Sequence, residues 1–209
     1  MRKQFWSVSS LLLTVAFLGG TPSASLGQTD RPAVAVMLQN DAGAPAGVVN
    51  HARVEATRLF ALIGIEIQWL DHVPPSGGRF RTVSVTNWEP SDRKIATSVL
   101  GYTQTAEGKR GIRAYVFWRR VERASQTFTA SLDKVLAIAI AHELGHMLLP
   151  NGNHAKDGLM RAPWDANHFR SASAGLLLFS DDSANRIRRQ AAVEHAALNA
   201  LGPSVRSRQ

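Results

Sequence analysis

The chain contains no cysteine. That absence excludes disulfides, thiolate metal ligands, a thiol nucleophile and any cysteine-based latency switch. It also leaves no thiol for a lipid anchor near the N-terminus. Long apolar runs are scarce. The densest early stretch, Leu11 to Leu18, is too short for a membrane span. No Pro/Gly/Ser-rich linker and no fixed-period repeat divides the 209 residues, so a single domain is expected. Acidic residues are few: 16 Asp and Glu against 24 Lys and Arg give a net charge of +8. The basic excess is spread out, with clusters at Arg119-Arg120-Arg123 and Arg186-Arg188-Arg189. No basic patch interleaved with aromatics accompanies it. A solvated basic surface is therefore expected, not specific nucleic-acid binding.

What is present begins with a targeting signature. Arg2 and Lys3 form a short positive region, the apolar stretch follows, and Ser25-Leu26-Gly27 fits a small-x-small cleavage site before Gln28. Residues 1–27 thus read as a signal peptide, residues 28–202 as the mature domain and 203–209 as a loose tail. The expected destination is secreted or periplasmic, with no stable membrane span after cleavage. Losing Arg2 and Lys3 leaves +6 (8 − 2) on the mature chain. No long propeptide is evident between Gln28 and the first strand.

Hydrophobic periodicity predicts a buried strand over 32–39. A helix opens at Pro45 and stops at Gly64. Strands follow at Ile65–Leu70 and Phe80–Val85, separated by the loop Pro74-Pro75-Ser76-Gly77-Gly78. Residues 89–111, punctuated by Gly101, Gly108 and Gly111, read as a long loop. Within 112–121, Ala114 to Trp118 reads as a strand, expected at a sheet edge because arginines flank it. A helix from about Ala130 to Leu149, capped by Thr129 or Ser131 and stopped by Pro150, is apolar almost all round and belongs at the centre of the domain. After Trp164 the chain looks irregular to Ser180. A final helix then runs to about Leu201, with Ile187, Ala191, Val193, Ala197 and Leu201 facing inward. The fold class expected is α/β or α+β, with a mixed twisted sheet and an antiparallel edge strand.

The chemistry sits in that central helix. His142 and His146 are four residues apart and so share one helical face. Two imidazoles so placed can bind one zinc ion, and Glu143 between them can take a proton from a zinc-activated water. Histidine and glutamate are seldom set in an apolar helix without partners. Catalytic zinc usually takes a third protein ligand and keeps one position open. His154 follows Pro150-Asn151-Gly152-Asn153, a segment suited to turning back towards the helix. Asp157 and His168 are the other candidates. His51, His72 and His195 read as surface residues.

The stretch Ala141 to Trp164, AHELGHMLLPNGNHAKDGLMRAPW, resembles the metzincin zinc peptidases, whose pattern is HExxHxxGxxH or HExxHxxGxxD followed by a tight turn carrying a methionine. Gly158-Leu159-Met160 resembles that turn, with Met160 eighteen residues after His142. The resemblance implies a zincin-like fold and one catalytic zinc on His142, His146 and His154. It also implies Glu143 as general base, Met160 as support beneath the metal, and an extended peptide paired with an edge strand near Tyr115 to Trp118. Two positions depart from the pattern: Leu149 stands at the family's glycine, and Gly152 at its third ligand. A loop two residues longer would bring His154 to the ligand place. No tyrosine follows Met160. A zincin that takes its third ligand from a later glutamate would have to use Glu194. A non-catalytic exported zinc-binding protein would have no need of Glu143.

Overall fold

The computed structural model describes residues 31–74, 79–88, 95–104, 112–149 and 154–200. The expected signal peptide and tail, most of the expected Pro74–Gly78 loop and the segment Pro150–Asn153, expected to turn back, lie outside the described residues. The described residues belong to one structural unit, which begins at Arg31.

The chain alternates strand and helix before turning mostly helical. β1 (Ala33–Asn40) leads to α1 (Ala46–Leu62), β2 (Glu66–Leu70) and β3 (Arg81–Thr86). β4 (Gly101–Gln104) and β5 (Arg113–Phe117) follow, then α2 (Trp118–Phe128), α3 (Leu132–Leu148), α4 (Ala166–Ser173) and α5 (Asp181–Ala200). The five strands form one mixed sheet in the order β2-β1-β3-β5-β4. Four strands are parallel, and β4 alone runs antiparallel to its neighbour β5. The first βαβ unit obeys the usual rule that parallel neighbours need a crossover helix. Alternation then selects the buried face: Val34 and Val36 on β1, Val83 and Val85 on β3, and Ala114 and Val116 on β5 are all buried.

α3 packs against β3, β4 and β5 and also against α1, α2, α4 and α5. A helix covered from all these sides has no solvated face to furnish with charge, which explains its almost wholly apolar sequence. From Val135 to Gly145 every residue is buried, His142 and Glu143 included.

Several expectations need correction. The strand at Ala114–Trp118 is not an edge. β5 lies inside the sheet between β3 and β4, and its flanking arginines stand at its ends, not along its side. The antiparallel edge is β4, which lies within the stretch that reads as a loop. It has only four residues and begins with glycine, so it carries little strand signal. Helices α2 and α4 also emerge from segments that read as strand and irregular chain. α4 is opened by a capping box in which the Asp165 side chain accepts from the Asn167 and His168 backbone, while the His168 ring reaches back to the Asp165 N–H. Histidine in place of the usual Glu or Gln hides that signal. On α5, Ile187 and Ala191 are buried as expected, but Val193 is 63% exposed and Ala197 is also exposed. Leu201 lies outside the described residues.

An ion cluster around the buried Glu55 carboxylate, with Arg58 and Lys134 reaching towards solvent, fastens α1 to α3. The Glu55 carboxylate accepts from Arg58 Nε at 2.9 Å and Nη2 at 2.7 Å, and lies 2.9 Å from Lys134 Nζ on α3. Arg58 Nη2 also donates to the Gly175 carbonyl at 2.8 Å. The Arg58 hydrogen bonds hold the Glu55 carboxyl below its ordinary pKa, more than offsetting the opposing effect of burial, and Lys134 adds to them. A depressed carboxylate stabilises the fold fully above its unfolded pKa, about 4.3, and that stabilisation is lost as pH falls through the folded value. Glu55→Gln should therefore cost about 1–3 kcal/mol at pH 7, because two cations lose their buried partner. Thermal unfolding from pH 7 to pH 3 should show the gap to the unchanged protein closing at the acid end. A gap independent of pH would refute this role.

Candidate metal centre

The structure brings together three of the predicted ligands. Nitrogen atoms of His142, His146 and His154 all lie within 4.8 Å of one another. His142 Nε2 and His146 Nε2, one helical turn apart, are 2.9 Å from each other. The His154 ring centroid is 5.3 Å from that of His142 and 4.9 Å from that of His146. Asp157, His168 and Glu194 are not in the group. Asp157 is exposed, His168 pairs with Asp165 at 2.7 Å, and Glu194 accepts from Arg81 on β3 at 2.5 Å.

The donor chemistry fits a divalent ion. His142 Nδ1 is 2.8 Å from the Leu159 carbonyl oxygen. That oxygen can only accept, so Nδ1 carries the proton and Nε2 is left with its lone pair facing the other imidazoles. Burial pushes the His142 pKa down to about 4, and desolvation lowers His154 too, so both rings are neutral ligands near neutral pH. Two nitrogens on one tetrahedral zinc would stand about 3.3 Å apart at ordinary zinc–imidazole distances, close to the 2.9 Å found. Three imidazoles suit zinc, copper, iron(II) or nickel.

One tight turn sets the group. Gly158 has φ +66°, and a Cβ there would lie 2.7 Å from the Leu178 carbonyl oxygen. Leu159 then donates to that same oxygen at 2.7 Å and accepts from His142 with its own carbonyl. The next carbonyl, of Met160, accepts from the N–H of Ala155 at 2.9 Å, which fixes the backbone directly after His154. Met160 is fully buried under α3 at Gly145, where an added Cβ would collide with its thioether. The turn therefore touches the first ligand, the approach to the third and the helix between the first two.

Glu143 is held from the sheet side. It is 4% exposed. Its Oε2 accepts from Thr103 Oγ1 at 2.6 Å, and its Oε1 lies where a Cβ on Gly101 would come within 2.6 Å. Burial pushes the Glu143 carboxyl up to about 8, with the Thr103 hydrogen bond acting in the opposite direction. A cation beside it would favour the ionised form. Gly101 and Thr103 both belong to β4, so missing that strand from sequence meant missing both contacts. Trp164 is the other unforeseen neighbour, its ring edge-on to His142 at 5.1 Å between centroids.

These groups open on a cleft of about 580 Å³, lined by β4 with its lead-in Ala96 to Leu100, by α3, and by Arg161 to Trp164. Arg120 on α2 fastens the lead-in, donating from Nη1 to the carbonyls of Ala96 at 2.6 Å and Val99 at 2.9 Å. Among the described residues no helix is long and apolar enough to cross a membrane. Neither a scan against protein-family models nor a search of curated proteins finds a match to the chain.

Two outcomes follow. Metal analysis of the purified chain should find about one ion per chain, sharply reduced in His154→Ala, as a three-imidazole site requires; full retention in that variant would remove His154 from the site. Gly145→Ala would ordinarily stabilise a helix by about 1 kcal/mol. Here the clash with Met160 should reverse the sign, giving a loss of about 1–3 kcal/mol in chemical denaturation.

Proposed function

We propose that the protein is an exported zinc-dependent peptidase of the zincin type, similar to the metzincins, which hydrolyses peptide bonds of substrates bound in extended form. The observation that carries this reading is the convergence of three imidazoles and one buried carboxyl on a single cleft beside an edge strand. A purely structural ion would need neither the cleft nor Glu143, and would usually be closed by a fourth protein ligand.

His142, His146 and His154 hold the ion. Zinc supplies Lewis acidity there, which acidifies water and polarises a substrate carbonyl. Glu143 takes the proton of the attacking water and returns it to the leaving amine. β4 is the last strand of the sheet and lines the cleft. Its outer edge offers main-chain donors and acceptors to an extended peptide. This edge replaces the Tyr115–Trp118 strand as the substrate's partner. The turn Gly158-Leu159-Met160, which resembles the metzincin turn, holds His142 through the Leu159 carbonyl and packs Met160 under Gly145.

Glu143→Gln separates catalysis from metal binding. Metal content should stay at the unchanged level while cleavage of a broad peptide library falls at least about 100-fold, the scale of general-base catalysis. A metal-loaded protein that cleaves no library member, or a Gln variant as active as its parent, would reject the proposal.

A further inference from the structure

The place of the Glu143 carboxyl is set from the sheet. Two β4 residues in alternate positions, and so on one face of the strand, meet it. Thr103 is buried, and its hydroxyl reaches Oε2 at 2.6 Å and the Glu143 backbone carbonyl at 3.1 Å. Gly101 supplies the space. A Cβ there would stand 2.6 Å from Oε1, 2.8 Å from Cγ and 2.9 Å from Cδ of Glu143. One carboxylate oxygen is thus tethered, and the rest of the side chain lies flat on a bare backbone. Without the tether the carboxyl would be free to take other rotamers towards the open cleft.

We infer that Gly101 and Thr103 form a positioning pair that fixes the Glu143 carboxylate for proton transfer, an inference that rests on the peptidase reading above. Neither residue touches substrate or metal in this role; both act through Glu143. The substitutions that test it are mild. The atoms that an added Cβ at Gly101 meets belong to the Glu143 side chain, which can swing away, so Gly101→Ala should fold and hold metal with its carboxylate displaced. Thr103→Val keeps the shape and removes the hydroxyl, and Thr103→Ser keeps the hydroxyl.

The experiment uses the zinc-loaded full mature chain and the best-cleaved peptide of a library. Gly101→Ala and Thr103→Val should each lower kcat by about 10- to 100-fold, the scale expected when a reacting group is misplaced by about 1 Å. KM and zinc content should stay within about threefold of the unchanged protein, and Thr103→Ser should restore kcat to within about threefold. Unchanged kcat in Thr103→Val, or a Ser variant as impaired as the Val variant, would overturn the inference. A second readout needs no activity. The drop in Tm caused by Thr103→Val should shrink in a Glu143→Leu or Glu143→Ala background, where only the 3.1 Å contact with the backbone carbonyl is left to lose. An equal drop in both backgrounds would overturn the inference. If the unchanged protein holds zinc but cleaves nothing, the peptidase reading fails and this inference fails with it. A smaller Tm drop in that case would keep only the contact between the Thr103 and Glu143 side chains.

Discussion

The hydrogen bond between His142 Nδ1 and the Leu159 carbonyl joins the two halves of the site. It fixes the tautomer of a ring buried in an apolar helix and turns the opposite nitrogen towards the other imidazoles. It also anchors the turn in which the next residue, Met160, packs beneath Gly145 and accepts from Ala155. Remove that bond and a buried N–H loses its acceptor, at a cost of about 1–3 kcal/mol, and the approach to His154 loses its registration. The order of causes runs from Gly158, which holds φ +66° where a Cβ would meet the Leu178 carbonyl, to Leu159, to His142 and His154.

Setting His142 and Glu143 in such a helix is costly, and the surrounding fold shows how the cost is met. Desolvation lowers the His142 pKa and raises that of Glu143, so each is pushed towards its neutral form. Each has one short hydrogen bond from a different quarter, Leu159 for the histidine and Thr103 for the glutamate. The sheet edge and the turn therefore grip adjacent residues of α3 from separate elements. A cation held by the imidazoles would shift Glu143 towards its ionised form, which is the state a general base needs.

Much of this was legible in the sequence, and the exceptions have physical reasons. His142, Glu143 and His146 stand out because polar groups at helical spacing interrupt an apolar run. His154 follows from the breaker and turn residues before it. β1, α1, β2 and β3 come from periodicity and end signals, α3 from an apolar run bounded by a cap and Pro150, and α5 from its Ser180-Asp181-Asp182 start, although Val193 and Ala197 on it face out. β4 did not announce itself, because four residues beginning with glycine hold too little pattern. The arginines around β5 suggested an edge, yet one of them, Arg120, is 7% exposed and turns inward to fasten the lead-in to β4. Thr103 and Gly101 are visible only once the sheet lays β4 against α3. The pairing of Glu194 with Arg81 likewise depends on tertiary packing that no local pattern encodes.

The most direct test of the account is zinc K-edge X-ray absorption on residues 28–209 loaded with one equivalent of zinc. Three imidazole nitrogens at about 2.0–2.1 Å and one further oxygen are the predicted shell of an open catalytic site. Fewer than three imidazoles, a closed shell of four protein ligands, or zinc lost on gel filtration would contradict it.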